Sequence, residues 1–378
     1  MKKILIFTAR YLPGYKDGGP LRTVKNVTDS LSQDYDFTVA CYDRDLGDTK
    51  AYENIKINDI NKVDNISVYY AANEKFSFSQ ILSLSKNADL VYVCGPYYDF
   101  SMKIMILKRL GLIKIPVVLA PMGSFSKGAL SIKSTKKKVF FKVFDTLKLF
   151  DKLSFSVTSK VEEEELKDVL KIKGKCFVAE DMPRKMSADN KKAFAKEEGV
   201  LKVLFLSRIC VKKNLLYAAE VMKNIASECI FHIYGIMEDA EYYASCEDVL
   251  TNLPSNVSWE YKGGVDSEDV PKIFSQYDVF LFPTLGENFG HVISEAMSAG
   301  CIPVLSDTTP WLDLEEKSCG YVISLDNKDR FVNVVDSLCK MTSAEILNIS
   351  NKASEYAYNK YLNSVNNSGY KEMFNELL

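Results

Sequence analysis

"DVFLFPTLGENFGHVISEAMSAGCIPVLSD", from Asp278 to Asp307, contains a strand, a turn, a helix and a second strand. "DVFLFP" is an apolar run that Pro283 ends, because proline cannot continue a sheet ladder. From about Phe289 the apolar positions fall at helical spacing, and Gly300 suits the C-terminal cap of that helix. "IPVLS" (302–306) is the next apolar run. Two short runs without polar alternation, joined by one helix, describe parallel strands covered on both faces.

The same rhythm extends outward in both directions. Upstream lie "ILIFT" (4–8), "FTVACY" (37–42), "ISVYYA" (66–71), "LVYVCG" (90–95) and "PVVLAP" (116–121). Nearer the quoted stretch are "LKVLFLS" (201–207), "IFHIYG" (230–235) and "VSWEYKG" (257–263), and "GYVIS" (320–324) follows it. Intervening segments carry helical periodicity, as in Leu21, Val24, Val27 and Leu31. The fold class is therefore α/β, with doubly wound parallel sheets. At 378 residues the chain exceeds what one core usually covers. The polar stretch from Glu180 to Gly199 breaks the rhythm near the midpoint, which gives a domain over 1–182, a linker over 183–200 and a second domain over 201–360. The remaining segment, 361–378, reads as a helix returning to the first domain.

Composition narrows the function. Hydrophobic residues make up 47% and charged residues 26%, as in ordinary globular chains. A net charge of −2 disfavours nucleic acid as a partner. The nine cysteines include no CxxC pair and read as small buried hydrophobes, so a cytoplasmic setting with reduced thiols is expected. Arg10 interrupts the short N-terminal apolar run before a signal-peptide core is complete.

Three stretches concentrate chemistry at expected strand ends. In the quoted stretch Glu287 lies in the turn and Glu295 in the helix. The backbone N–H groups of Asn288, Phe289, Gly290 and His291 are the unpaired donors of a helix start, suited to a phosphate. "SRICVKKN" (Ser207–Asn214) follows the first strand of the second domain and brings Arg208 and Lys213 to a strand end. "GYKDGGPLRTV" (Gly14–Val24) puts Gly18 and Gly19 between the first strand and its helix, with Pro20 suited to the first turn. Its spacing is not G-x-G-x-x-G, which disfavours a nicotinamide enzyme. Amides and cations suit a diphosphate while carboxylates suit sugar hydroxyls, so together they fit a sugar nucleotide.

Glu287 and Glu295 resemble the Glu-x7-Glu motif of retaining glycosyltransferases with the GT-B fold, specifically glycosyltransferase family 4. The resemblance implies two Rossmann-like domains facing a cleft, the first binding acceptor and the second binding donor. It implies that Glu287 contacts the donor sugar, that Glu295 meets a ribose hydroxyl, and that Arg208 and Lys213 grip the diphosphate, with Gly18 and Gly19 facing it from the first domain. The donor implied is a UDP-sugar, with GDP as the other base considered. No cofactor and no metal are expected, because cations and helix-end amides take the divalent ion's role and no Asp-x-Asp stands in context. The stretch Val118–Lys152 is similar to one in transferases that build bacterial surface polysaccharides such as O-antigen or capsule. There Pro-Arg-Gly is usual, whereas Met122 holds the arginine position here.

The segment 127–152 also carries lysines 127, 133, 136, 137, 138, 142, 148 and 152 against Asp145 and Asp151, a balance of eight minus two, or +6. With Phe140, Phe141, Phe144 and Phe150 it could rest on an anionic membrane, the setting of a polyprenyl-diphosphate-linked acceptor. Tyr97, Tyr98 and Asp99, at a strand's C-terminal end, are candidate acceptor contacts. His232 and His291 are the two histidines; neither lies in the first domain, so the departing diphosphate is expected to take the acceptor's proton. A same-fold sugar-nucleotide epimerase and a non-catalytic sugar-nucleotide-binding module are the alternatives. The epimerase would need acid and base groups that a histidine-poor chain scarcely offers.

Overall fold

A computed structural model describes residues 1–125, 144, 146–170, 172–186 and 199–378. The chain divides into two compact units: Met1–Lys185 with Asn363–Leu378, and Met186–Leu362.

In the first unit the strands are β1 (Lys2–Phe7), β2 (Tyr35–Tyr42), β3 (Ile60–Val63), β4 (Ile66–Ala71), β5 (Leu90–Cys94), β6 (Val117–Ala120), β7 (Ser154–Val157) and β8 (Cys176–Val178). They form one sheet in the order β3-β4-β2-β1-β5-β6-β7-β8. Each neighbouring pair is parallel except β3 and β4, where the short turn at Asp64 allows an antiparallel hairpin. Its polar sequence INKV and the short runs at β7 and β8 lack the apolar signal that marks the other strands. Helices α1 (Gly19–Leu31), α2 (Phe78–Ser85), α3 (Asp99–Arg109) and α4 (Lys160–Val169) cross between strands. Two apolar clusters sandwich the sheet, one containing Phe7, Phe76, Phe100 and Phe155, the other Tyr11, Val24, Val39 and Tyr92.

In the second unit the strands are β9 (Leu201–Leu206), β10 (Cys229–Tyr234), β11 (Val257–Gly263), β12 (Val279–Phe282), β13 (Ile302–Ser306) and β14 (Tyr321–Ile323). Their order is β11-β10-β9-β12-β13-β14, and the neighbouring pairs run parallel. The helices are α5 (Leu215–Met222), α6 (Ala240–Leu250), α7 (Val270–Phe274), α8 (His291–Ser298), α9 (Lys328–Lys340) and α10 (Ser343–Asn366). The final helix α11 (Gly369–Leu377) packs on the first sheet, with Phe374 edge-on to Tyr35 at 5.2 Å.

Strand order reverses once in each sheet's centre. The chain moves from β9 outward to β10 and β11, then returns to the other side of β9 with β12. The first sheet does the same around β1, between β2 and β5. Adjacent loops depart in opposite directions at these points, leaving a crevice beyond the strand C-termini.

Candidate functional site

At the second unit's reversal point, the loop after β9 and the loop after β12 are laced together. Leu285 N–H donates to the Lys212 carbonyl at 2.9 Å, the Thr284 hydroxyl to the same carbonyl at 3.1 Å, and Asn214 Nδ2 to the Pro283 carbonyl at 2.8 Å. Asn214 adopts φ 61°, a left-handed conformation that asparagine tolerates, and so ends the short 3-10 turn Val211–Lys213. The loop after β13 joins them: the Ser306 and Thr308 hydroxyls both donate to the Thr284 carbonyl, at 2.6 and 2.7 Å. Glu287 N–H donates to the Thr308 carbonyl at 3.3 Å.

This lacing brings Lys213 and Glu287, 74 positions apart, into an ion pair in which each side chain is only 12% exposed. The lysine ammonium also stands 5.6 Å from the centre of the Phe282 ring. Lys213 and Glu287 are thus joined in one feature. Arg208 is more open, its guanidinium donating to Glu238 at 2.7 Å with both side chains about half exposed.

Helix α8 begins at His291, two residues later than its apolar spacing suggests. Gly290 caps it at φ 77° and ψ 60°, and a β-carbon there would meet Ile293 Cδ1 at 2.7 Å. That conformation and that space admit glycine and little else. Asn288 and Phe289 therefore belong to the turn. The Phe289 carbonyl accepts from Trp311 Nε1 at 2.6 Å, and its ring packs 4.9 Å from the His291 ring. At the far end Cys301 N–H donates to the Ala296 carbonyl and Gly300 N–H to the Met297 carbonyl, both at 2.9 Å, with Gly300 at φ 76°. This paired closure ends the helix at the glycine the sequence marks. Glu295, in the second turn, is buried with 6% exposure, so it is not a solvated helix position.

The sequence reading did not single out Thr284, Ser306, Thr308 and Trp311. A signal existed in the first three, since hydroxyl residues cluster directly after two all-apolar strands.

The first unit holds Gly18 and Gly19. Gly18 caps α1 at φ 68°, and among the described residues no atom stands within 4 Å of where a β-carbon would lie on either glycine. Tyr98 caps α3, while Asp99 accepts from Phe76 N–H at 3.1 Å and pairs with Lys103 at 2.7 Å. Asp99 is thereby occupied in holding a loop to a helix. Met122 adopts φ 54°, and the next residue, Gly123, donates its N–H to buried Glu162 at 2.7 Å. Beyond β1, Arg10 lies 5.3 Å from the Tyr42 ring centre and pairs with Glu74. Glu74 comes from a 3-10 turn, Ala72–Glu74, in which Asn73 and Glu74 both have positive φ.

Phe144 and Phe150 are buried in the first core, 8% and 4% exposed, and their rings meet at a tilt of 38° with centres 5.9 Å apart. They cannot belong to a membrane-facing surface. Phe140, Phe141 and lysines 127, 133, 136, 137, 138 and 142 lie outside the described residues, as do 187–198 of the expected linker. His232 shares a 2.7 Å hydrogen bond with Tyr277, and burial lowers its pKa. Seven of the nine cysteines are buried; Cys176 and Cys210 are half-buried. No described helix is long and apolar enough to cross a membrane.

The family model "Glycosyl transferases group 1" matches residues 186–360. An Escherichia coli UDP-Gal:alpha-D-GlcNAc-diphosphoundecaprenol alpha-1,3-galactosyltransferase is 29% identical over 170 residues, which cover 43% of this chain and 41% of that protein. The match thus spans about two fifths of that relative's length. Among solved structures, Anabaena HepE in complex with UDP and glucose superposes with a TM-score of 0.69 at 16% identity, covering 100% of each chain. Sucrose-phosphate synthase from Thermosynechococcus elongatus does so with a TM-score of 0.68 at 15% identity, covering 100% of this chain and 99% of that one. The chain has the GT-B fold of two Rossmann-like parallel-sheet domains, and its second unit carries the pattern of the glycosyl transferases, group 1.

Proposed function

We propose that the protein is a retaining, metal-independent glycosyltransferase of family 4. It moves a sugar from a nucleotide diphosphate, a UDP-sugar by preference, to a hydroxyl of a glycan or polyprenyl-diphosphate-linked acceptor. The setting is bacterial surface polysaccharide synthesis on the cytoplasmic side. The observation that carries this reading is the convergence of Lys213 and Glu287, with Arg208 nearby in sequence, at the strand reversal of the second unit. The Escherichia coli relative's name supports the choice of a UDP-sugar and a lipid diphosphate acceptor. HepE was solved with UDP-glucose as well as with UDP and glucose, which supports the same donor class.

In this mechanism Arg208 and Lys213 hold the donor diphosphate, and the N–H groups around Gly290 and His291 add partial positive charge. Glu287 fixes the sugar hydroxyls and buried Glu295 the ribose. Gly18 and Gly19, with open space where a β-carbon would stand, leave room for a ligand beside their own backbone. The bond from the anomeric carbon to the diphosphate oxygen breaks, and the acceptor oxygen bonds to the same face of that carbon. The acceptor's proton passes to the departing diphosphate. Fixed cations stabilise the charge that grows there without reorganising, which is the main way such sites lower a barrier.

Because Lys213 and Glu287 hold each other before ligand arrives, donor entry is a partner exchange. The diphosphate takes the lysine and the sugar takes the carboxylate. A thermal-shift panel of UDP, GDP, ADP and their sugar conjugates tests the reading. A nucleotide present at 100 times its dissociation constant adds about 2.7 kcal/mol of stability. The account predicts that shift for a uridine nucleotide and its loss in Glu295→Ala. Absence of any shift across the panel contradicts it. Tight binding without hydrolysis or transfer would instead favour a binding module.

A further inference from the structure

A surface outside this site also calls for a partner. Helix α3 ends at Arg109, and in the turn beyond it Leu110 and Leu112 are 66% and 58% exposed. In a second turn Leu147 is 56% exposed, although its neighbour Leu149 is buried in the core. Two hydrogen bonds bind the turns together: Arg109 Nε donates to the Leu147 carbonyl at 3.4 Å, and Lys152 Nζ donates to the Arg109 carbonyl at 3.2 Å. Single exposed leucines are commonplace, but three on two joined turns are not an accident of packing.

The leucines stand among cations. Arg109, Lys148 and Lys152 are exposed on the same turns. The carboxylate within them, Asp151, is held by Lys173 at 2.8 Å. Ion pairing with Lys173, together with the charges of Lys148 and Arg109, keeps its pKa below the usual carboxylate value, so it stays ionised but matched. The turn pair is therefore net positive in a chain whose formal net charge is −2.

We propose that this turn pair is a docking surface for an anionic lipid bilayer. The leucines enter the boundary between headgroups and acyl chains, and Arg109, Lys148 and Lys152 meet the lipid phosphates. Apolar insertion and attraction to anionic lipid add, and either alone gives weak adsorption. The surface differs from the phenylalanine face that the sequence suggested, since Phe144 and Phe150 lie beneath it in the core. It does not depend on the glycosyltransferase reading.

Sedimentation of the full chain with vesicles tests this, using phosphatidylcholine alone and phosphatidylcholine with 30% phosphatidylglycerol, the latter composition being about that of a moderately anionic leaflet. The expected result is binding to the mixed vesicles that falls at least tenfold in Leu110→Ser/Leu112→Ser/Leu147→Ser and also falls in Lys148→Glu/Lys152→Glu. Both variants change exposed side chains, and retained circular dichroism and melting temperature check that they fold. Wild-type levels of binding by the serine variant overturn the proposal, as does binding lost only on changing Lys136, Lys137 and Lys138. A concentration-dependent dimer that the serine changes dissolve, without vesicle binding by the wild type, assigns the leucines to self-association instead.

Discussion

Both units set a cation against a carboxylate on loops beyond the C-terminal ends of their strands, but the two pairs are built differently. In the second unit Lys213 and Glu287 are each 12% exposed and come from the two loops that flank the strand reversal. In the first, Arg10 is nearly buried while Glu74 is 42% exposed, and the carboxylate arrives from a turn with two consecutive left-handed residues. Strain of that kind costs on the order of 1–3 kcal/mol per residue and persists where surroundings enforce it. The contrast teaches that a shared architecture repeats the place for a charged pair without repeating its job. Under the proposed mechanism the Lys213–Glu287 pair opens to a ligand, whereas the Arg10–Glu74 pair fastens a turn to the sheet.

The largest effect that could break this contrast is on turnover. Lys213→Ala should lower it by about 10² to 10³, the usual loss when one preorganised donor to a developing anion is removed. Arg208→Ala should act in the same direction. Arg10→Met, by comparison, should leave uridine nucleotide affinity within about twofold. Initial rates and calorimetric titration of the purified variants check both, and loss of nucleotide affinity in Arg10→Met would erase the distinction.

Next in size is the turn that presents Glu287. Gly290→Ala should destabilise the protein by about 2 kcal/mol, from a left-handed φ combined with a clash against Ile293. A urea midpoint unchanged from wild type would show that the turn relaxes freely.

An effect that shows only as pH changes belongs to the first unit. The Asp181 carboxyl is buried, although the residue retains some exposed surface. Burial raises its pKa to about 6, the Thr23 hydroxyl opposes the shift, and the Glu162 charge adds to it. The folded state therefore holds a proton that the unfolded state releases near pH 4. The stability tied to this proton is complete below about pH 4, is lost as pH rises through about 6, and amounts at most to about 3 kcal/mol, about two pH units at about 1.4 kcal/mol each. Asp181→Asn should flatten that slope in urea titrations between these pH values, without altering nucleotide binding.

How much of this was written in the sequence follows from distance along the chain. The strands buried on both faces were legible because each is a short apolar run, and the Gly300 stop was legible because a left-handed cap selects glycine. Glu287 and Lys213 could be picked out as candidates since each lies in the loop beyond such a run, and Glu295 by its place eight positions after Glu287. The Thr284 and Thr308 lacing was not legible: it depends on β12 and β13 being neighbours, which no local pattern encodes. The Arg10–Glu74 pair was hidden for the same reason, spanning 64 positions and a turn without a glycine signal. Phe144 and Phe150 misled because a helical aromatic spacing marks an apolar face without saying whether lipid or core covers it.

The most direct test of the central claim is a double-mutant cycle on UDP affinity, measured by calorimetry in the wild type, Glu287→Gln, Lys213→Met and the double variant. If Glu287 occupies Lys213 until a ligand displaces it, Glu287→Gln tightens UDP by about tenfold, or ~1.4 kcal/mol, and the gain vanishes in the Lys213→Met background. An equal gain in both backgrounds would reduce Glu287 to general charge repulsion, and no gain in either would contradict the exchange at the heart of the site.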